Sequence, residues 1–247
     1  ELADIILIGK KDKIMEAAGS FDVSKAIFVD PETYDRMDEM VAGLAEARKS
    51  KGMTLEEARK ILMDDTRREL SKHGTETFPM TVSHDDLWAF EGKTVPIHWH
   101  DDLEINLLRE GMAVFQVYQK SYSVRPGDGF LLNRNVPHSC NSPVNEHVRY
   151  NTILVRPDFL YGDFGSDIER NCFRPFLQNS AVPCIHLTAS DENGKEILEK
   201  LNQVEEVFDR KPFCYELKIR GLLCEAFSMI LSDHQRELTK FVPPNQQ

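Results

Sequence analysis

Positive charge is in short supply in this chain: 30 Lys and Arg stand against 41 Asp and Glu over 247 residues, giving a formal net charge of −11. That balance argues against a broad basic face for nucleic acid or anionic lipid, so any DNA contact must come from elsewhere. Long apolar runs are missing too. None approaches the roughly 20 residues needed to span a bilayer, and Glu1-Leu2-Ala3-Asp4 does not read as a signal peptide. A soluble, cytoplasmic protein is expected. Cysteine is sparse and scattered: Cys140, Cys172, Cys184, Cys214 and Cys224 are odd in number and contain no CxxC pair. They exclude a disulfide framework and are read as reduced, mostly buried thiols.

The length is enough to bury a substantial core in one large or two small domains, and two are expected. The first 65 residues alternate between strand and helix signals. Ala3-Asp4-Ile5-Ile6-Leu7-Ile8-Gly9 is a short apolar run closed by Gly, as a buried parallel strand would be, and Ala26-Ile27-Phe28-Val29-Asp30-Pro31 is a second. Helical spacing covers Asp12 to Ala18 and Glu32 to Lys49, and Thr54-Leu55-Glu56-Glu57 is a Ser/Thr-x-x-Glu capping box opening a third helix. From about Thr75 to Val155 the period changes to two, broken by Gly, Pro and Asn. Leu103 to Leu108 and Ala113 to Tyr118 are expected to pair as a hairpin around Arg109-Glu110-Gly111-Met112. Beyond Pro157 the chain reads as helical: Ile168 to Leu177, Asn193 to Arg210 and Phe213 to His234, the last with a stripe of Leu217, Leu222, Ala226 and Ile230. Phe241 to Gln247 is proline-rich and suited to a linker.

His98-Trp99-His100, with Glu104 and His138, carries the chemistry. Residues i and i+2 of a strand share a face, so His98 and His100 look the same way, and Glu104 joins them on one wall if the strand continues. Three imidazoles and a carboxylate suit one divalent transition metal, Zn, Ni, Fe or Mn, and the set does not choose among them. The same residues could instead hydrogen-bond a hydroxyl-rich organic ligand, since neutral imidazole both donates and accepts. Trp99 points away from the two histidines and is expected to pack between barrel and helix. Trp88, Phe90, Phe115, Tyr118 and Tyr122 read as wall or core.

The spacing Gly92, five residues, His98-x-His100, three residues, Glu104, six residues, Gly111 resembles the first cupin motif. The stretch from Gly127-Asp128-Gly129 to Val136-Pro137-His138 resembles the second, with Asn133 and Asn135 standing where Pro and Gly are usual, which loosens the expected placing of His138. Leu2 to Asp64 resembles an internal piece of phosphate acetyltransferase, through Ala3 to Gly9, Val29-Asp30-Pro31-Glu32 and Lys51-Gly52-Met53-Thr54-Leu55-Glu56-Glu57-Ala58-Arg59. The parts of that family that bind its substrates have no counterpart here, so no acetyltransferase activity is expected. From Thr66 onward the chain resembles the N-terminal sensor domain of AraC-type transcription regulators. The likeness lies in Arg67 to Thr75, Pro96 to Glu104 and Val124-Arg125-Pro126-Gly127-Asp128-Gly129.

That resemblance implies an α+β fold: a cupin (jelly-roll) barrel followed by a helical dimerisation pair, after a small partial α/β N-terminal segment. The boundaries expected are 1-65, 66-160 for the barrel, 161-240 for the helices, and 241-247 as the start of a linker to a DNA-binding helix-turn-helix domain outside this chain. It implies a small effector, of which sugars are one class, bound near His98, His100, Glu104 and His138. It also implies a homodimer through Leu217, Leu222, Ala226 and Ile230. The alternative reading of the same residues is a metal-dependent cupin enzyme, a dioxygenase or isomerase.

Overall fold

The computed structural model describes the backbone of Ile6–Ile8 and Ile27–Val29, Met63, and residues 66–142 and 146–240. The first two segments, β1 (Ile6–Ile8) and β2 (Ile27–Val29), pair in parallel, Leu7 opposite Phe28. The two apolar runs near the start are therefore strands of one sheet. The helices expected at 12–18 and 32–49, the capping box at Thr54 and the linker from Phe241 lie outside the described residues.

From β3 onward the fold is α+β, with two antiparallel sheets facing each other as a cupin-type barrel and helices laid on the outside of one. The five-stranded sheet has the order β11-β8-β5-β10-β3, and the four-stranded sheet the order β4-β9-β6-β7. The former comprises β3 (Met80–Asp86), β5 (Leu103–Glu110), β8 (Gly129–Leu132), β10 (Arg149–Val155) and β11 (Cys184–Leu187). The latter comprises β4 (Thr94–His98), β6 (Ala113–Val117), β7 (Lys120–Val124) and β9 (His138–Asn141).

Alternation along β5 sorts its residues between two buried faces. Leu103, Ile105 and Leu107 join the core shared with the helices, whereas Leu108 belongs to the cluster between the sheets, with Phe115, Phe130, Leu132 and Cys140. Glu104 and Asn106, on the same face as Leu108, are buried as well, so the polar residues of β5 mark an interior site and not a solvent side. Phe115 of β6 stacks on Phe130 of β8, ring centroids 4.8 Å apart, and ties one sheet to the other.

The hairpin expected from Leu103 to Tyr118 is not formed. β5 pairs with β8 and β10, and β6 pairs with β7 and β9, so the chain crosses from one sheet to the other between them. Gly111 makes that crossing, at φ +70° and with its Cα so close to the His147 carbonyl that an added Cβ would collide with it. Sequence alternation reads two adjacent strands but not whether they share a sheet. The purely helical reading beyond Pro157 is corrected likewise, since β11 joins the edge of the five-stranded sheet.

Helices α1 (Pro157–Tyr161), α2 (Arg174–Leu177, continuous with a π-helical turn at Glu169–Phe173), α3 (Glu192–Arg210), α4 (Tyr215–Asp233) and α5 (Gln235–Thr239) follow. Asp191 caps α3 by accepting from the Gly194 N–H at 2.6 Å. Asn193–Asp233 and Lys200–Glu225 contacts, which run in opposite senses, show α3 and α4 to be antiparallel. The α4 stripe divides. Ala226 and Ile230 are fully buried in the chain's own core, Leu222 packs against it, and Leu217 is 73% exposed. Ala226 and Ile230 are thus spent on packing within the chain, in the core that α4 shares with α3. Among the cysteines only Cys140 is buried, while Cys172 and Cys214 are exposed, so the expectation of mostly buried thiols is corrected. No helix among the described residues is long and apolar enough to cross a membrane.

Candidate metal centre

His98, His100, Glu104 and His138 are all buried, and one ligand atom from each lies within 4.8 Å of the others. They do not share a wall. β4 ends at His98, the chain turns over residues 99–102, and Glu104 belongs to β5 in the opposite sheet. His98 and His138 are register partners across β4 and β9, their rings 4.3 Å apart, so the four-stranded sheet supplies two imidazoles and the five-stranded sheet the carboxylate.

The ring nitrogens are sorted by their neighbours. Nδ1 of His98 lies 2.9 Å from the Pro96 carbonyl, Nδ1 of His138 2.8 Å from that of Val136, and Nδ1 of His100 3.2 Å from that of Asp102. A carbonyl only accepts, so each Nδ1 is the protonated nitrogen and each Nε2 is left for the site. Glu104 Oε2 then sits 2.8 Å from His100 Nε2 and 3.1 Å from His138 Nε2. Lone pair against carboxylate is repulsive, so these contacts demand either an extra proton on an imidazole or a cation between the groups. Backbone carbonyls fixing the outer nitrogens are the outer-shell arrangement that orients metal-binding imidazoles.

Electrostatics agree with the geometry. Burial alone would push the Glu104 carboxyl up, but the His138 charge and the hydrogen bonds with His100 and His138 outweigh it and hold the group well below the carboxylate range. Burial and the neighbouring His138 push His98 down to about 4, so it stays a neutral lone-pair donor. Burial would lower His138 as well, but the Glu104 carboxylate raises it. The donor set therefore fits a divalent ion of borderline softness.

Neighbours that the sequence did not flag complete the setting. Asn106 donates from Nδ2 to Glu104 Oε1 at 2.7 Å, and its Oδ1 lies 3.0 Å from Thr152 Oγ1, itself 2.6 Å from Asp85 Oδ2. Asn106 stands two residues after Glu104, so strand alternation was the available signal for it. Glu69, His73 and Asp102 also lie close by, and nothing in local sequence marks a residue 25 or more positions before the motif. The departures in the second motif prove to be anchors. Asn135 adopts φ +58°, a region Asn tolerates, and its N–H donates to the His100 carbonyl at 2.7 Å. Asn133 is buried and donates from Nδ2 to the Phe176 carbonyl at 2.8 Å, so the turn before His138 is held rather than loose.

Trp99 packs elsewhere than expected. Its Nε1 donates to the Thr66 carbonyl, Arg68 lies over its ring, and its backbone exchanges hydrogen bonds with Arg67 and Glu69, so it covers the segment before β3 and not a helix. Phe115 is core, and Phe90 and Tyr122 pack against it, but Trp88 and Tyr118 are each 50% exposed.

This geometry falls inside a recognisable region. Residues 87–185 match the AraC-like ligand binding domain. Residues 1–69 match the phosphate acetyl/butaryl transferase family. The chain is 23% identical over 159 residues to the uncharacterized HTH-type transcriptional regulator YdeC of Bacillus subtilis (strain 168), covering 64% of this chain and 54% of that protein. Its first quarter is 39% identical over 64 residues to phosphate acetyltransferase of Thermoanaerobacterium thermosaccharolyticum, covering 26% of this chain and 20% of that protein. The chain thus spans about half the length of one relative and about a fifth of the other. Among solved structures, unsaturated fatty acid bound ToxT from Vibrio cholerae is similar at 17% identity and a TM-score of 0.43, over 64% of this chain and 55% of that one.

Proposed function

We propose that residues 66–240 are the effector-sensing and dimerisation part of an AraC-type transcription regulator, in which the barrel holds a divalent metal on His98, His100, Glu104 and His138 and reads a small hydroxyl-bearing molecule, such as a sugar, beside it. The observation that carries the reading is the convergence of three imidazoles and the Glu104 carboxylate, one ligand atom from each within 4.8 Å of the others, inside the segment that matches the AraC-like ligand binding domain. The barrel of residues 66–160 receives the effector, the helices of 161–240 join two copies, and DNA is bound by a helix-turn-helix domain beyond residues 241–247. Residues 1–65 resemble too small a piece of a transferase to carry acetyl transfer.

The test is calorimetric titration of the nickel-loaded chain with a panel of pentoses and hexoses, with His98→Ala, His100→Ala as control. Saturable binding in the wild type alone supports the reading, and no binding by any sugar removes the sugar class. The ligating geometry favours one second reading, a metal-dependent cupin dioxygenase or isomerase, which would replace the first if the iron-loaded chain took up oxygen or converted a substrate with turnover.

A further inference from the structure

Two buried polar side chains beside the centre are not used by it. Glu69 and His73 belong to the segment before β3, and their side chains are 5% and 6% exposed. The Glu69 N–H donates to the Trp99 carbonyl at 2.9 Å and the Trp99 N–H to the Arg67 carbonyl at 3.1 Å, so this segment runs alongside the stretch that carries His98 and His100. His73 Nδ1 lies 2.8 Å from Asp102 Oδ2, its Nε2 lies 3.5 Å from Glu69 Oε1, and its ring meets that of His100 edge-on at 5.8 Å. After these contacts, Glu69 Oε2 and His73 Nε2 make no hydrogen bond among the described residues.

An unpaired buried acceptor costs about 1–3 kcal/mol, more when charged, so an arrangement that keeps one needs a compensating partner. The carboxylate lies beside the imidazole cluster: His73, 3.5 Å from Glu69 Oε1, meets the His100 ring edge-on, and the charges of His73, His98 and His100 lower the Glu69 carboxyl despite its burial. An ion on three imidazoles and one carboxylate retains open positions filled by water when it is six-coordinate, and such a water presents O–H groups that need acceptors.

We propose that Glu69 is the outer acceptor of this centre, taking a hydrogen bond from the water or hydroxyl that completes the coordination of the ion, with His73, fixed by Asp102, as the positioning residue. The inference rests on the metal-holding reading above and adds to it a residue outside the 87–185 match.

The experiment uses the full chain and Co(II), whose visible absorption reports ligand number and geometry. Wild type, Glu69→Gln and His73→Gln are titrated with Co(II), and circular dichroism confirms that each variant is folded. Wild type is expected to bind one ion, and Glu69→Gln to bind it about tenfold to a hundredfold more weakly, with altered visible bands. His73→Gln, which keeps a donor for Asp102, is expected to lose less and to decide the matter should Glu69→Gln not fold. Wild-type affinity and spectrum in the folded variants would overturn the role of Glu69 while leaving the metal reading intact. No Co(II) binding by the wild type would overturn the metal reading, and this inference with it.

Discussion

His98 and His138 stand directly opposite each other on β4 and β9, each with its Nδ1 committed to the carbonyl two residues before it. The two strands thus present the same ring nitrogen, Nε2, in the same tautomer. Nickel should therefore stabilise the fold. At a free concentration one hundred times its dissociation constant, the gain is about 2.7 kcal/mol. Thermal unfolding with and without nickel reads it, and His98→Ala should abolish the increment.

Asn106 holds the outer oxygen of Glu104. Asn106→Leu removes that donor and strands the carboxylate oxygen, so a loss of about 1–3 kcal/mol in denaturant unfolding is expected. Nickel binding should weaken by about tenfold or more. A variant as stable as the wild type and with unchanged nickel affinity would contradict the role given to Asn106.

Gly111 carries the crossing between sheets. Gly111→Ala combines a left-handed backbone with a clash against the His147 carbonyl, and should cost about 2 kcal/mol or more. The shift in urea midpoint at constant slope measures it.

Glu69 and His73 make a pH signature in the metal-free chain. The Glu69 carboxyl is pulled to about 2 despite its burial, so its contribution is present above its ordinary 4.5 and is lost as pH falls toward 2. His73 is pushed up to about 10 despite its burial, so its contribution is present below its ordinary 6.5 and is lost as pH rises toward 10. The stability difference between wild type and the Glu69→Gln, His73→Gln double variant should peak between pH 4.5 and 6.5. A flat difference across that range and beyond would show the pair to be uncoupled.

Self-association, in the reading proposed here, engages the exposed flank of α4. Phe213 is 99% exposed just before it, and Leu217 73% within its first turn. Leu217→Glu should dissociate the dimer in sedimentation analysis without lowering the unfolding midpoint. Ala226→Glu, at a fully buried position, should unfold the chain instead.

Legibility in the sequence followed the range of the interactions. The histidine spacing and the period-two pattern are local, and so the ligand set and most barrel strands could be read directly. The sheet to which a strand belongs is not local: β5 and β6 adjoin in sequence but part at Gly111, and β11 is a four-residue strand set among helices. The placing of Glu104 across from His98, rather than beside it, depends on that parting. Glu69 and His73 were beyond reach for the same reason, since only the folded chain brings them to Trp99 and Asp102.

The division of the four side chains between two sheets gives the centre a mechanical meaning. An ion there would act as a clasp, fastening β4 and β9 to β5, whose Leu103, Ile105 and Leu107 share one core with the buried residues of α3 and α4. Under the proposed reading, a change at the ion would reach, through β5, the core on which the helical pair is seated.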